Sequence, residues 1–103
     1  DQKLNEGLSI DFLGKPAYTA SFIADIAIRM NLDIVPIKFS RDTNNHSIIT
    51  FYKKINMPKN NLSKNKKINF ILKQVNDVMS QWIKDQPENW LWIHRRWQKD
   101  LYL

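Results

Sequence analysis

At 103 residues, with 43% hydrophobic and 12% aromatic residues, the chain can form at most one domain of modest size and is too apolar for intrinsic disorder. The absence of cysteine excludes disulfide frameworks, thiolate metal sites and cysteine nucleophiles. A net charge of +6 favours anionic partners such as nucleic acid, an anionic membrane surface or an acidic protein.

The first part of the chain predicts a strand followed by a helix. Residues 8–13 alternate in hydrophobicity, and the sequence Gly-Lys-Pro at 14–16 is expected to end this strand. Thr19 is expected to cap a helix that runs to about Met30. This helix is apolar around most of its circumference, and a short chain has little material to cover it. Part of its surface is therefore expected to stay exposed.

Two further strands are predicted after this helix. Residues 34–39 indicate a buried strand with a defect at Pro36, and residues 47–54 a second strand after a turn at 41–45. A strand, a helix and a strand at this spacing predict a βαβ unit with parallel strands and a right-handed crossover. Such sheets need helices on both faces. The expected class is α/β in the order βαββα plus a short C-terminal helix, with residues 1–103 a single partial domain whose sheet is incomplete.

The clearest element is a long helix that follows a polar linker at residues 56–65. Its apolar residues recur at the helical period and form one continuous stripe from Ile68 to Ile83. Each such side chain contributes about 1.5–3 kcal/mol when fully buried, so the stripe should face a sheet or another helix. Gln86 is expected to end the helix, and Pro87 suits the first turn of a short final helix.

A run of lysines without any acidic residue lies between positions 53 and 67. It consists of Lys53, Lys54, Lys59, Lys64, Lys66 and Lys67. Flexible lysine-rich segments generally face water, so a solvated loop explains the run adequately. The alternative is a surface for an anionic partner.

Three of the four tryptophans lie near the C-terminus, beside two consecutive arginines. In a helix, Trp90, Ile93 and Trp97 would share one face. Trp92 and Arg96 would share another, where a guanidinium can lie on an indole. One interpretation is a tryptophan-anchored helix with cations near the negative end of its dipole. The other is a site for phosphate or carboxylate, which arginine binds through two parallel hydrogen bonds.

Two blocks of the sequence are distinctive: Pro-Glu-Asn-Trp-Leu-Trp-Ile-His-Arg-Arg-Trp at 87–97, and Phe-Leu-Gly-Lys-Pro-Ala-Tyr-Thr at 12–19, followed by Ile-Val-Pro at 34–36. The block at 87–97 resembles the C-terminal signature of the bacterial lipid A biosynthesis acyltransferases, the lauroyl and myristoyl transferases. The block at 12–19 resembles an earlier block of the same family, in the same order. The sequence departs from the family pattern at Leu13, where a second phenylalanine is usual, and in the linker at 56–65.

The resemblance implies an enzyme on the cytoplasmic face of the bacterial inner membrane that works without a cofactor or metal. It would transfer a fatty acyl group from acyl carrier protein to a lipid A precursor in lipopolysaccharide biosynthesis. The implied fold is a glycerolipid-acyltransferase-like sheet flanked by helices, and the implied partners are the carrier protein, the lipid precursor and an anionic membrane surface, not nucleic acid. Asp1 and Gln2 fit an Asp-Gln pair that precedes the earlier family block. With Arg95 and Arg96 they are the expected substrate-binding residues, which would position the substrate and neutralise its charge.

In that family a His-x-x-x-x-Asp/Glu motif supplies the base that deprotonates the acceptor hydroxyl. Here Phe51 stands five positions after His46, and Lys99 stands five positions after His94. Neither histidine is therefore expected to be catalytic. The catalytic motif and a hydrophobic anchor are expected upstream of Asp1, so this chain alone is expected to be inactive.

Two other interpretations stay open at the level of sequence. Positive charge with interleaved aromatic residues also fits a small basic nucleic-acid-binding module, although no helix-turn-helix, RNP-type or zinc signature is present. A third interpretation is a non-functional remnant of a disrupted gene.

Overall fold

The computed structural model describes residues 7–91 and 96–97. Its elements are β1 (Leu8–Phe12), β2 (Lys15–Thr19), α1 (Phe22–Met30), β3 (Ile37–Arg41), β4 (Ser47–Phe51), α2 (Lys64–Asp85) and a 3₁₀ turn (Pro87–Asn89). The predicted α/β class is confirmed as a mixture of two helices and two small sheets. The predicted order βαββα was wrong in one respect, because it lacked β2.

The first two strands form an antiparallel hairpin that the sequence did not predict. Leu13 and Gly14 form its two-residue turn with φ angles of 52° and 81°, the left-handed values of a type I′ hairpin turn. The Gly-Lys-Pro segment therefore reverses the chain instead of ending the strand. Pro16 is tolerated in β2 because it lies opposite Asp11 at a position where the missing N–H would point away from β1.

Helix α1 begins later than predicted. Thr19 does not cap it, because this residue ends strand β2 and is buried. Ser21 occupies the N-cap position without a side-chain cap hydrogen bond. The helix ends as predicted, with Asn31 in the left-handed conformation as its C-cap.

The second hairpin, β3–β4, is confirmed, but the parallel βαβ unit is wrong. Within the described ranges both sheets contain only antiparallel pairs, and neither is joined to the other. The reason is that each pair of strands is linked by a short turn, which suits antiparallel neighbours. The predicted buried strand at 34–39 is also corrected. β3 begins after Pro36, and its residues are exposed or half-buried.

Helix α2 carries the core and confirms the predicted apolar stripe. Ile71 and Leu72 are fully buried in a cluster with Ile10, Ala24, Ile55 and Ile68. A second cluster packs Ile83 against Phe12 and Ala17 of the first hairpin. The Ser63 hydroxyl accepts the Lys66 N–H at 3.4 Å at the start of the helix, and Gln86 ends it as predicted.

Part of the apolar surface stays uncovered, as the sequence predicts. Phe22 and Met30 of α1 are 73% and 63% exposed, and Phe39 and Phe51 of the second hairpin are 69% and 70% exposed. The radius of gyration is 15.1 Å, against about 13 Å for a compact domain of this length. The extents of 48 × 36 × 18 Å describe a thin layer of strands and helices, and every residue of β4 is exposed.

Candidate functional site

Arg96 is the one member of the predicted substrate-binding set that the structure describes. Asp1, Gln2 and Arg95 lie outside the described residues, and so does His94. The Arg96 residue is only 4% exposed. Its guanidinium therefore lies inside the protein, against the β1–β2 hairpin.

Arg96 pairs with the outer edge of β2 through its backbone and its side chain. The Tyr18 N–H donates to the Arg96 carbonyl oxygen at 2.8 Å, and Arg96 Nε donates to the Tyr18 carbonyl oxygen at 2.7 Å. Tyr18 lies opposite Ser9 in the register, where its backbone groups point away from β1. Arg96 thus forms hydrogen bonds with the Tyr18 N–H and carbonyl groups, which have no partner within the hairpin. Its Cζ also lies 4.6 Å from the centroid of the Phe12 ring, within cation–π distance.

The Thr19 hydroxyl joins the C-terminal segment to α2. Its Oγ1 accepts hydrogen bonds from Arg96 Nη2 at 3.1 Å and from Asn76 Nδ2 at 3.0 Å. The same hydroxyl donates to the Ala17 carbonyl oxygen at 3.3 Å. These three bonds use the one donor and two lone pairs that a hydroxyl has. Asn76 Nδ2 also donates to the Asp11 carbonyl oxygen at 3.2 Å, so this buried polar cluster ties three segments together.

Sequence reasoning missed Asn76 and Ser80, which lie on the buried face of α2. Ser80 Oγ accepts the Leu13 N–H at 3.0 Å and so holds the turn of the first hairpin. The signal was present in the sequence, because these two polar residues interrupt an apolar stripe at i, i+4 spacing. A polar side chain on a buried helix face needs a hydrogen-bond partner from another segment.

Trp90 and Trp97 pack against the same Phe12 ring that the Arg96 guanidinium contacts. The Trp90 and Trp97 ring centroids lie 6.1 Å and 5.8 Å from that of Phe12. The helix predicted for this segment falls partly outside the described residues, and its described start is the single 3₁₀ turn Pro87–Asn89. The contacts match the interpretation of a tryptophan-anchored segment. The role of Arg96 in substrate binding stays a prediction.

The described histidine, His46, belongs to the turn between β3 and β4. Its side chain is 75% exposed, and its Nδ1 lies 3.2 Å from Asp42 Oδ2. The other carboxylate oxygen of Asp42 accepts the N–H groups of Asn44 and His46, each at 2.9 Å. This pattern organises a turn, in which the His46 side chain is exposed.

The lysine-rich segment at residues 53–67 extends into the first turn of α2, which holds Lys64, Lys66 and Lys67 and no acidic residue. A helix dipole disfavours cations at its N-terminus, so these charges do not stabilise the helix itself. Lys64 Nζ lies 3.1 Å from Asp25 Oδ1. The hydrogen bond from Lys64 lowers the Asp25 pKa below its usual value, with a further contribution from Arg29 against the opposing effect of burial.

Two features are absent from the part of the chain that the structure describes. No group of three or more histidine, aspartate or glutamate side chains could hold a metal ion there. Neither helix combines the length and the apolar character that crossing a membrane requires.

Comparison with known proteins gives one match. The sequence profile of the family described as bacterial lipid A biosynthesis acyltransferase matches residues 1–99. That range includes both blocks, 12–19 and 87–97, that carry the resemblance seen in the sequence. No curated protein and no solved structure matches the chain.

Proposed function

Because the chain belongs to the bacterial lipid A biosynthesis acyltransferase family, we propose that it forms the C-terminal part of an enzyme that transfers a fatty acyl group from acyl carrier protein to a lipid A precursor. The observation that carries this proposal is the family match over residues 1–99. It favours an acyltransferase over a nucleic-acid-binding module. The proposed location is the cytoplasmic face of the bacterial inner membrane.

The general base of the reaction is proposed to lie outside these 103 residues. Transfer to a hydroxyl needs a group that removes the hydroxyl proton as the thioester is attacked. Neither His46 nor His94 is followed by an acid at the spacing that the family motif requires. His46 is held in an exposed turn with Asp42. The described residues therefore support roles as scaffold and in substrate positioning, not in proton transfer.

Asp1, Gln2, Arg95 and Arg96 are proposed to position the substrate. Two roles are open for Arg96. The resemblance implies that it neutralises a substrate charge, whereas its contacts with Tyr18 fit a residue that fixes the C-terminal segment on β2. The first role changes activity and the second changes stability, so the two are separable by experiment.

The lysine-rich segment is proposed to face the acidic carrier protein. Placing Lys66 and Lys67 in the first turn of α2 costs helix stability, and an acidic partner would offset that cost. Changing Lys66 to Glu in the complete enzyme should raise the KM for the acyl carrier and leave kcat nearly unchanged. Lys84→Glu is the matched control, because Lys84 is exposed at the other end of the same helix. An equal rise in KM for both variants would exclude a specific surface at residues 53–67.

The central test compares this chain with a longer enzyme that also carries a His-x-x-x-x-Asp/Glu segment. Both are incubated with acyl carrier thioester and a lipid A precursor, and the lipid product is measured by mass spectrometry. The 103-residue chain should give no product above background, because loss of a general base costs a factor of about 10²–10⁴ or more. Turnover by this chain alone would contradict the proposal that the general base lies outside these residues. No acyl transfer by the longer enzyme would contradict the proposed acyltransferase function.

A further inference from the structure

A segment of twelve residues, 52–63, joins β4 to α2 without a helix or strand of its own. Connections in compact domains usually have roughly four to six residues, and much longer ones are often functional or disordered. This segment is fixed near its start. The Ile55 side chain is buried in the core cluster, and the Ile55 N–H donates to the Ile34 carbonyl oxygen at 2.8 Å. The lysine-rich region therefore begins at a buried anchor.

The next residue, Asn56, is held by the side chain of Gln74 in α2. The Asn56 N–H donates to Gln74 Oε1 at 2.9 Å, and Gln74 Nε2 donates to the Asn56 carbonyl oxygen at 2.9 Å. Nε2 also donates to the Phe70 carbonyl oxygen at 3.2 Å. Gln74 thus pairs with both backbone groups of Asn56, as a residue of a neighbouring strand would. A carboxylate could not donate the second bond, and an apolar side chain could form neither.

This pairing fixes lysines of the segment relative to lysines of the helix. Gln74 lies seven residues after Lys67, on the same face of α2 and about 10 Å further along the axis. Lys53 lies three residues before Asn56, and Lys59 three residues after it. Four lysines of this region form no ion pair with any described residue, namely Lys53, Lys59, Lys66 and Lys67. Their charges are therefore available to a partner.

We propose that Gln74 is a positioning residue, which holds residues 53–59 against α2 so that these four lysines form one ordered basic surface for an acidic protein. The positioning rests on the contacts of Gln74 with Asn56. The identification of the partner as acyl carrier protein rests on the proposed function. Cations that are already in place bind fixed carboxylates more tightly, because less conformational entropy is lost on binding.

The ordering of this surface favours an acidic protein over an anionic membrane as the partner. Lipids move laterally, and the attraction of a membrane depends mainly on how many cations lie near it. A flexible lysine run would therefore bind a membrane as well as an ordered one. Carboxylates of a folded protein have fixed positions, so complementary charges must be placed opposite them. The two hydrogen bonds from Gln74 matter only for the second kind of partner.

Limited proteolysis of the 103-residue chain tests the positioning. Gln74→Met keeps the length and helix propensity of the side chain but removes both hydrogen bonds to the segment. Trypsin cleavage after Lys54 and Lys59 should become at least about fivefold faster, because the segment leaves its folded arrangement more often. Gln81→Met is the matched control, since the Gln81 amide donates to Asp85 within α2. It should change these rates by less than about twofold.

Both variants should fold, since Asn56 is exposed and water can replace the lost hydrogen bonds. Melting temperatures are measured on the same samples. Equal cleavage rates in the two variants would overturn the positioning role. If Gln74→Met melts at a lower temperature, amide hydrogen exchange decides the matter. Faster exchange confined to residues 53–59 would support the role, and faster exchange throughout α2 would overturn it.

The complete enzyme tests the partner. Gln74→Met should raise the KM for the acyl carrier thioester about three- to tenfold and change kcat by less than about twofold, because it disorders the surface and not the reacting groups. The KM for the same acyl group on a small thioester without the carrier protein should not change. Gln81→Met should leave all three constants unchanged. An equal rise in KM with the small thioester would overturn the docking role of Gln74.

Vesicles of phosphatidylglycerol test the membrane as the partner. The parent chain and Gln74→Met should bind them equally. Weaker vesicle binding by Gln74→Met, with an unchanged KM for the carrier, would overturn the assignment of an acidic protein.

The failure of this inference and the failure of the proposed function are distinguishable. Faster cleavage of Gln74→Met, with no acyl transfer by the longer enzyme, would support the positioning and contradict the function. Acyl transfer with a carrier KM that Gln74→Met does not change would support the function and overturn this inference.

Discussion

Tyr18 and Arg96 exchange two hydrogen bonds, one from the Tyr18 N–H to the Arg96 carbonyl and one from Arg96 Nε back to the Tyr18 carbonyl, at 2.8 Å and 2.7 Å. The two residues are 78 positions apart in the chain. They belong to the two blocks, 12–19 and 87–97, that carry the family resemblance. The blocks are therefore in contact, and the later one covers the edge of a strand that would otherwise be open to pairing with another chain.

The first prediction concerns the stability that this contact supplies. Arg96→Ala should lower the free energy of unfolding by about 2–4 kcal/mol, because it removes charge-assisted hydrogen bonds and a cation–π contact. Arg96→Lys should lose less, since it keeps the charge but not the planar fork. Arg29→Ala is the control. Arg29 forms an exposed pair with Asp25 in α1, and such surface pairs contribute little to stability. Urea denaturation measures all three variants.

The same variants in the complete enzyme separate anchoring from substrate binding. If Arg96 neutralises a substrate charge, specific activity per folded molecule should fall about ten- to a hundred-fold in Arg96→Ala, the equivalent of about 1.5–3 kcal/mol. If it serves as an anchor, stability falls and activity per folded molecule barely changes. Full activity with a lowered melting temperature would exclude the substrate-binding role of Arg96.

The second prediction concerns the shared hydroxyl of Thr19. Thr19→Val and Asn76→Leu each leave buried polar groups without a partner, at a cost of about 1–3 kcal/mol per group. Because the Asn76 amide donates to the Thr19 hydroxyl, the double variant should be less destabilised than the sum, by about 0.5–3 kcal/mol. Urea unfolding of the four proteins gives this coupling energy. Strict additivity would mean that the 3.0 Å contact contributes nothing.

Helix α2 shows what could be predicted from the sequence. Its apolar stripe and its end at Gln86 follow from local periodicity and were confirmed. The partners of Asn76 and Ser80 were not predictable, because they lie 57 to 67 residues away in the first hairpin. Periodicity shows which face of a helix is buried, but it does not show which backbone groups that face meets.

The first hairpin shows why other predictions failed. A left-handed φ is unusual for a leucine, so no residue before Gly14 indicated a hairpin turn at Leu13. Because β2 was not predicted, Thr19 was interpreted as a helix cap. In the structure the Thr19 hydroxyl is used by Arg96 and Asn76, which come from distant segments. The sequence thus indicated Arg96 as a candidate site residue, but it did not indicate which residues Arg96 contacts.

The third prediction concerns the uncovered apolar surface. The chain should bind a dye that reports exposed apolar surface and should associate at high concentration. Phe22→Ser should lower dye binding and leave the melting temperature nearly unchanged, since Phe22 is 73% exposed. Phe12→Ser is the contrasting variant. Phe12 is 1% exposed and contacts both Trp90 and Trp97, so its loss should cost about 3–5 kcal/mol. A monomer that binds no dye would show that α1 is covered.

The last prediction concerns acid and the contact between α1 and the start of α2. Lys64 and Arg29 hold the Asp25 pKa below its usual value of 3.8. A carboxyl group whose pKa is lowered by folding stabilises the fold when it is ionised, above the unfolded pKa, and this contribution disappears as pH falls through the folded pKa. Asp25→Asn should therefore lower the urea midpoint at pH 6, and the difference from the parent chain should shrink towards zero by pH 2. Lys64→Met should show the same pH dependence. Lys59→Met, which removes a lysine that forms no ion pair with the described residues, should show none. High salt should reduce the effect at pH 6, because the pair is exposed and screened. A difference between Asp25→Asn and the parent chain that persists unchanged at pH 2 would mean that Asp25 acts through packing rather than charge.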